Sequence, residues 1–457
     1  MAHRKTSSMA TTVNVDALRD RARALEALII AEVGAFKVSG KLAIRRQEYL
    51  IRPDFNLWYS VDPTLMNFEM ATTEEDDWHW KDLESFLESQ ILEHEVCSQV
   101  TQVLQDGGRD THLVRAFASR IAYDAALKET PELEQHIATL LRDATDSPLE
   151  YRARLWLTGI TLDEDVVDVS DSLSFRRPTR EDLQERVRAE AVPYAHAGFL
   201  GRIHFSCIAD CKVSGRRPVE LQRHIDQLIT ALRLFRLGSV SAARYDYHAE
   251  SFSAFASGSF GGHEGVPRLA YTLSTSDRQK LLAALQVLMP VLPSSYELPE
   301  IKPNFLSTAL GWYAESLLAR GPTEGTIAWA VACLEALFLG DNPSTELSFR
   351  LTQRVIALLR CFGWAPLDMQ RALKKSYEVR SKHVHGAISR KRSHEELGDL
   401  YRSIAQYARV SCLIWAQLLT ERKRSDVLAT LEGALIDDTA NIRLQQWCKK
   451  VDFAQKP

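Results

Sequence analysis

Prolines stand at 290, 293, 299 and 303, and the patterning of the chain changes across them. Beyond Pro303 the apolar residues recur with helical spacing and no alternating stretch is found. STALGWYAESLLAR, EGTIAWAVACLEALFL, ELSFRLTQRVIALLRCF, LDMQRALKKSYEVRSKHV and SHEELGDLYRSIAQYARVSCLIWAQLLTER each predict a helix. Gly321-Pro322, Gly340 to Pro343, Gly363 with Pro366, and Gly386 punctuate them. Helices of this length joined by short turns pack antiparallel, so residues 301–440 are expected to form a helical bundle, followed by a C-terminal tail at 441–457.

Before the prolines the texture is mixed. Residues 1–13 read as a flexible tail. VDALRDRARALEALII has helical spacing, while AFKVSGKLAIRRQEYLIR and FNLWYSV read as strands. TTEEDDWHWKDLESFLESQILEHEVCSQVTQVL opens on four acids that suit the positive end of a helix, with Thr73 and Asp76 at capping-box spacing. HLVRAFASRIAYDAALK and ELEQHIATLLRDA follow as helices, so 14–149 is a mixed α/β region, mostly helical. From 150 onward YRARLWLTGITL, DVSDSLSFRR, GRIHFSCIADCKV, SVSAARYDYHAESFSAF and LAYTL read as strands. DLQERVRAEA and VELQRHIDQLITALRLFRL read as helices, ASGSFGGHEGVPR as a loop, and Ser274 to Asp277 as a helix start. Residues 150–300 are therefore an α+β domain, either separate from or continuous with the region before it. The fold class expected is an α+β N-terminal region followed by an all-α bundle.

At 457 residues the chain exceeds a single core. Hydrophobic residues at 45% and charged residues at 25% are globular values, and 56 basic against 60 acidic residues leave a net charge of only −4. Any nucleic-acid surface must then be a local basic patch. No stretch reads as a signal peptide or membrane span, which makes a cytoplasmic protein the expectation. The seven cysteines are odd in number, scattered and without a CxxC pair, as suits buried thiols better than a disulfide framework.

Three constellations offer chemistry. His204, Cys207 and Cys211 have the count of a metal site. Strand alternation, however, puts Ile203, Phe205, Cys207, Ala209 and Cys211 on one face and His204 on the other, so the cysteines line a core. GGHEG at 261–265 has no third ligand spaced to join it and reads as an ordinary loop. The third is YEVRSKHVHGAISR at 377–390. On a regular helix Arg380 and His385 point about 140° apart, while His383 lies about 60° from Arg380. Gly386 ends the helix and lets His385 turn toward the same space. Residues 371–392 hold eight Lys and Arg side chains and one acid, Glu378. A solvated basic helix end accounts for that pattern as well, and Arg217 to His224 shows that a similar spacing recurs elsewhere in the chain.

VRSKHVHGAIS, preceded by ACLEALFLGDNPSTELSFRLTQRVIALL, resembles the Apea-like branch of the HEPN domain family, over roughly residues 305–425. The resemblance rests on Leu334 to Leu337, Thr345 to Leu351 with Arg354, and Arg380 to Gly386. It implies a HEPN helical bundle with metal-independent endoribonuclease activity and no cofactor. Carried over to this sequence, the signature falls on Arg380, Ser381 and His385, with Arg380 and His385 as the catalytic positions, Ser381 in support and His383 as the rival histidine. Glu335 resembles a recurrent acid of the branch and is expected to orient Arg380 or Arg354. Lys374, Lys375 and Lys382 are expected phosphate contacts. The resemblance further implies a homodimer or higher homo-oligomer whose motifs face each other, RNA (tRNA among the candidates) as substrate, and a toxic role in anti-phage defence. The N-terminal region would then sense a phage-derived trigger or restrain the nuclease. A non-catalytic HEPN module for nucleotide or RNA binding or dimerisation is the alternative.

Overall fold

The computed structural model describes residues 12–38, 47–51, 68–72, 85–127, 133–145, 147–179, 182, 205–216, 218–253, 257–261, 267–293, 304–339, 346–385 and 393–455. The expectations for residues 1–11, the Thr73–Asp76 cap, FNLWYSV, His204, the GGHEG loop beyond Gly261 and the connection at 294–303 fall outside the described residues.

Helices α1 (Val15–Val38), α2 (Glu95–Asp106), α3 (His112–Leu127) and α4 (Leu133–Ala144) enclose the first core. On α1 the stripe Leu18, Ala22, Leu25, Ile29, Val33 recurs at helical spacing and is fully buried. That stripe carries the helix through Val38, so the expected strand is shorter than its sequence pattern. Among the described residues of that segment, β1 (Gln47–Ile51) pairs antiparallel with β2 (Phe68–Thr72). The long helix expected after the acidic run is interrupted. A π-helical turn at Leu87–Leu92 ends ahead of His94, whose Nδ1 accepts from the Val96 amide at 3.2 Å and starts α2.

The second core begins with a six-stranded antiparallel sheet. Its strands are β3 (Leu149–Thr158), β5 (Val166–Ser170), β6 (Leu173–Arg176), β7 (Cys207–Gly215), β8 (Ser241–Ala249) and β9 (Ser257–Gly261), in the order β5-β6-β7-β3-β8-β9. A short β4 (Ile160–Leu162) pairs in parallel with β10 (Tyr271–Leu273). Alternation sorts the residues of β3: Tyr151, Ala153, Leu155 and Leu157 face the core, while Arg152, Arg154 and the buried Trp156 lie on the opposite face. Cys207 and Cys211 are on the core face as expected, where burial pushes both thiols up to about 12. Phe205 is not with them. It precedes the strand and packs edge-on against Trp156 at 4.8 Å, on the other side of the sheet. The expected loop at ASGSFG is strand β9 instead, because Gly258 lets the backbone lie against the Tyr247 ring. A Cβ there would be 2.8 Å from the Tyr247 hydroxyl.

Helices α5 (Pro218–Phe235) and α6 (Arg278–Leu288) pack on this sheet. Beyond them lie α7 (Phe305–Leu318), α8 (Thr323–Phe338), α9 (Leu347–Leu359), α10 (Pro366–Val384) and α11 (His394–Leu418), the five helices expected from the sequence. Two more follow, α12 (Arg424–Gly433) and α13 (Asp438–Cys448). The segment past 440 is thus folded and not a tail. Leu444, Cys448 and Val451 recur at helical spacing and are buried, and Arg422 lies 4.4 Å over the Trp447 ring.

The proline-rich connection does not divide the core: buried side chains from Leu149 to Ala454 form one cluster, separate from that of α1–α4. The two clusters meet where the chain leaves β8. The Phe252 ring sits edge-on to Phe117 at 5.5 Å, and its amide donates to Asp143 at 2.7 Å. Sheet and C-terminal helices are joined at the end of α5, whose last four carbonyls have no intrahelical donor of their own. The Tyr271 hydroxyl donates to the Leu232 carbonyl and the Tyr313 hydroxyl to the Arg233 carbonyl, each at 3.1 Å. Arg409 of α11 donates to the carbonyls of Leu234 and Phe235. Arg409 is buried, and its charge sits at the negative end of the α5 dipole.

Two stability predictions follow from buried charges. Arg409→Ala strips two carbonyls of their donor and should destabilise the chain by about 2–4 kcal/mol, read from the shift of its urea midpoint. In the first core, burial with a further push from Glu134 raises Glu26 from 4.5 to about 7, against the pull of Arg23, and Glu26 Oε1 has no hydrogen-bond partner among the described residues. A carboxyl raised on folding stabilises below its unfolded pKa, and that contribution is lost as pH rises through the folded value. Wild-type stability should therefore fall by roughly 2–3 kcal/mol between pH 4.5 and pH 7.5, and Glu26→Gln should remove most of that slope.

Candidate functional site

Helix α10 starts with Pro366 at its first position and Asp368 in its first turn, and ends with Lys382 and His383 in its last, an order that suits the helix dipole. Met369, Leu373, Ser376 and Val379 are its buried stripe. Tyr377 and Arg380 flank that stripe and reach α8. Arg380 Nη2 lies 2.7 Å from Glu335 Oε2, with the Arg380 side chain 29% and the Glu335 side chain 18% exposed. The pair is shielded enough to count for more than a surface salt bridge, yet the Arg380 side chain stays partly in solvent.

Tyr377 completes the arrangement. Its hydroxyl donates to Glu335, and the Arg380 guanidinium is 5.7 Å from the centre of its ring. Burial pushes the Glu335 carboxyl up, while Arg380 and the Tyr377 hydrogen bond hold it down. Burial, then Glu335, raise the Tyr377 phenol and keep it a donor. As pH falls and Glu335 takes up a proton, the tie on Arg380 loosens.

The other sequence-chosen residues are distributed around this pair. His383 comes against the first turn of α8: a Cβ on Gly325 would be 3.4 Å from its Nε2. Helical geometry put His383 near the direction of Arg380, and both side chains do meet α8. His385 is the C-cap of α10 with φ −90° and ψ 10°, and its amide donates to the Ser381 carbonyl at 3.1 Å. Ser381, Lys382, His383 and His385 are all exposed, as are Lys374 and Lys375 one to two turns back.

Arg354 is elsewhere. It is buried and donates to the Phe338 carbonyl at the end of α8 and to Glu432 of α12. Of the two arginines expected for Glu335, then, Arg380 holds it, and Arg354 has a different carboxylate. The sequence reading missed Tyr377, although its position three residues before Arg380, on the same helix face, was the available signal.

Among the described residues no group of three or more His, Cys, Asp or Glu is placed to hold a metal ion, and no helix is long and apolar enough to cross a membrane. The chain matches no family model, no curated protein and no solved structure.

Glu335→Ala should cost about 1–2 kcal/mol in chemical denaturation, because it leaves Arg380 half-buried without its carboxylate. Tyr377→Phe, which removes one of the two donors to Glu335, should cost roughly half as much by the same measurement.

Proposed function

We propose that this chain is a metal-independent endoribonuclease of the HEPN type, with Arg380 and His385 as its reacting pair. The observation that carries the reading is the anchoring of Arg380. Glu335 pairs with the guanidinium and the Tyr377 ring lies beside it, while the Arg380 side chain stays partly exposed, at the helix end that also presents Ser381, His383 and His385. An arginine held in this way presents a planar donor fork to a phosphodiester.

Histidine titrates near neutrality and serves as either base or acid. One imidazole takes the proton of the ribose 2′-hydroxyl. The freed oxygen attacks the adjacent phosphorus, Arg380 neutralises charge on the non-bridging oxygens, and a second imidazole protonates the departing 5′-oxygen. The products are a 2′,3′-cyclic phosphate and a free 5′-hydroxyl, and DNA, lacking the 2′-hydroxyl, is inert. A homodimer with facing motifs would supply base and acid from the two copies of His385, while His383, packed over Gly325, is the nearer candidate for a structural role. Lys374, Lys375 and Lys382 extend the cationic surface for RNA. By the resemblance of its motif, the chain would act as the toxic effector of a phage-defence system, with the preceding regions sensing or restraining it.

The test is cleavage of labelled tRNA and total RNA in EDTA by wild type, Arg380→Ala, His385→Ala and His383→Ala. Loss of roughly 10²-fold or more is expected for Arg380→Ala and His385→Ala, with a smaller loss for His383→Ala. Activity that survives both of the first two substitutions overturns the assignment. RNA binding by wild type without cleavage, even of a single labelled phosphodiester, points to the non-catalytic module instead.

A further inference from the structure

The outer face of the six-stranded sheet carries charge in rows set by strand register. In one row Arg154 stands between Asp210 and Asp246 on the neighbouring strands. This row is internally neutralised: Arg154 Nε reaches Asp210 at 3.1 Å, Arg176 Nε reaches the same carboxylate at 2.7 Å, and Arg244 Nε reaches Asp246 at 2.7 Å. Two residues along, the register aligns Lys212, Arg152 and His248 directly opposite one another on β7, β3 and β8. All three are exposed on the same face. Arg152 and Lys212 are thus like charges in directly opposed positions, an unfavourable pairing. Glu150 is 3.8 Å from Arg152, with both of those side chains mostly in solvent, and the Asp210 and Asp246 carboxylates two residues away are engaged by the arginines of the neutralised row.

These three side chains border a cavity of about 790 Å³, a size typical of small-ligand sites. Arg278, at the start of α6, adds a further cation to its wall. The wall at β5 and the turn after it differs in chemistry. Ser170 and Ser172 hydroxyls lie 3.1 Å apart there, beside Asp168 and Asp171, all of them lining the same cavity. With strands about 4.8 Å apart, the basic row spans roughly 10 Å, the reach of a chain of two or three phosphates. The hydroxyl and carboxylate wall accepts N–H and O–H donors.

We propose that this cavity binds a nucleotide, its phosphates laid across Lys212, Arg152 and His248 and its sugar or base donors turned toward Asp168 and Asp171. The site is on the sheet and not on α10, so it stands whether or not the ribonuclease reading does. Isothermal titration of the full chain with ATP, tripolyphosphate and adenosine tests it. ATP should bind more tightly than tripolyphosphate, and adenosine more weakly than either. Arg152→Ala with Lys212→Ala should weaken ATP roughly tenfold or more while the thermal unfolding midpoint stays in place, because both side chains are exposed. Asp168→Asn with Asp171→Asn should erase the preference for ATP over tripolyphosphate, and Arg380→Ala should leave ATP binding intact. Absence of ATP binding at millimolar concentration, ATP binding that ignores the Arg152 and Lys212 substitutions, or binding lost with Arg380 each overturns the site. Equal affinity of wild type for ATP and tripolyphosphate overturns its assignment to a nucleotide.

Discussion

The capped end of α5 is the interaction on which the arrangement of the larger core depends. A helix that stops in the interior leaves carbonyls that must find donors. Here the donors come from three separate places in the chain: Tyr271 beside the sheet, Tyr313 on α7 and Arg409 on α11. Successive carbonyls of one helix end thus bind the sheet side through Tyr271 and the C-terminal helices through Tyr313 and Arg409. Burial keeps the two phenols protonated, so they remain donors, and Arg409 keeps its charge beside the negative end of the dipole. The candidate site inherits this rigidity. Arg409 positions α11, α11 packs on α8, and α8 presents Glu335 to Arg380.

Within that frame the chain treats its arginines in two ways. Arg354 is buried, with both terminal nitrogens bonded at the end of α8, and Arg176 is chelated by Asp182 and Asp210. Arg380 is paired with Glu335 but stays partly exposed, and the exposed end of its helix gathers further cationic and imidazole groups. Half-engagement restrains the Arg380 side chain without burying it, which lowers the entropy cost of any further contact it makes.

Much of this was legible in the sequence. The five helices after Pro303 and most strands of the sheet followed from periodicity, because each has one buried face. The failures share a cause, which is that pairing and packing partners are not visible locally. SGSFG reads as a loop until Tyr247 is placed over Gly258. Phe205 fits the alternation of β7 but precedes the strand and so follows Trp156 instead. Residues past 440 were short and polar enough to pass for a tail, yet Leu444 and Cys448 close the second core. At the site, the motif gave Arg380 and its histidines, whereas the pairing of Glu335 with Arg380, and not with Arg354, required the helix packing. The basic row on the sheet was invisible for the same reason, since Arg152, Lys212 and His248 are far apart in sequence and meet only through register.

The narrow junction at Phe252 gives the molecule two thermodynamic bodies and not one. Among the described residues, the Phe252 ring on Phe117, its amide on Asp143, and Gln135 and Arg142 on Glu250 connect cores that are otherwise built from different residues. Cooperativity requires shared buried contacts, so the α1–α4 cluster can open without melting the sheet and its helices. That partition places the seam just past Ala249 and the outward-facing His248, where the turn after β8 meets α3 and α4.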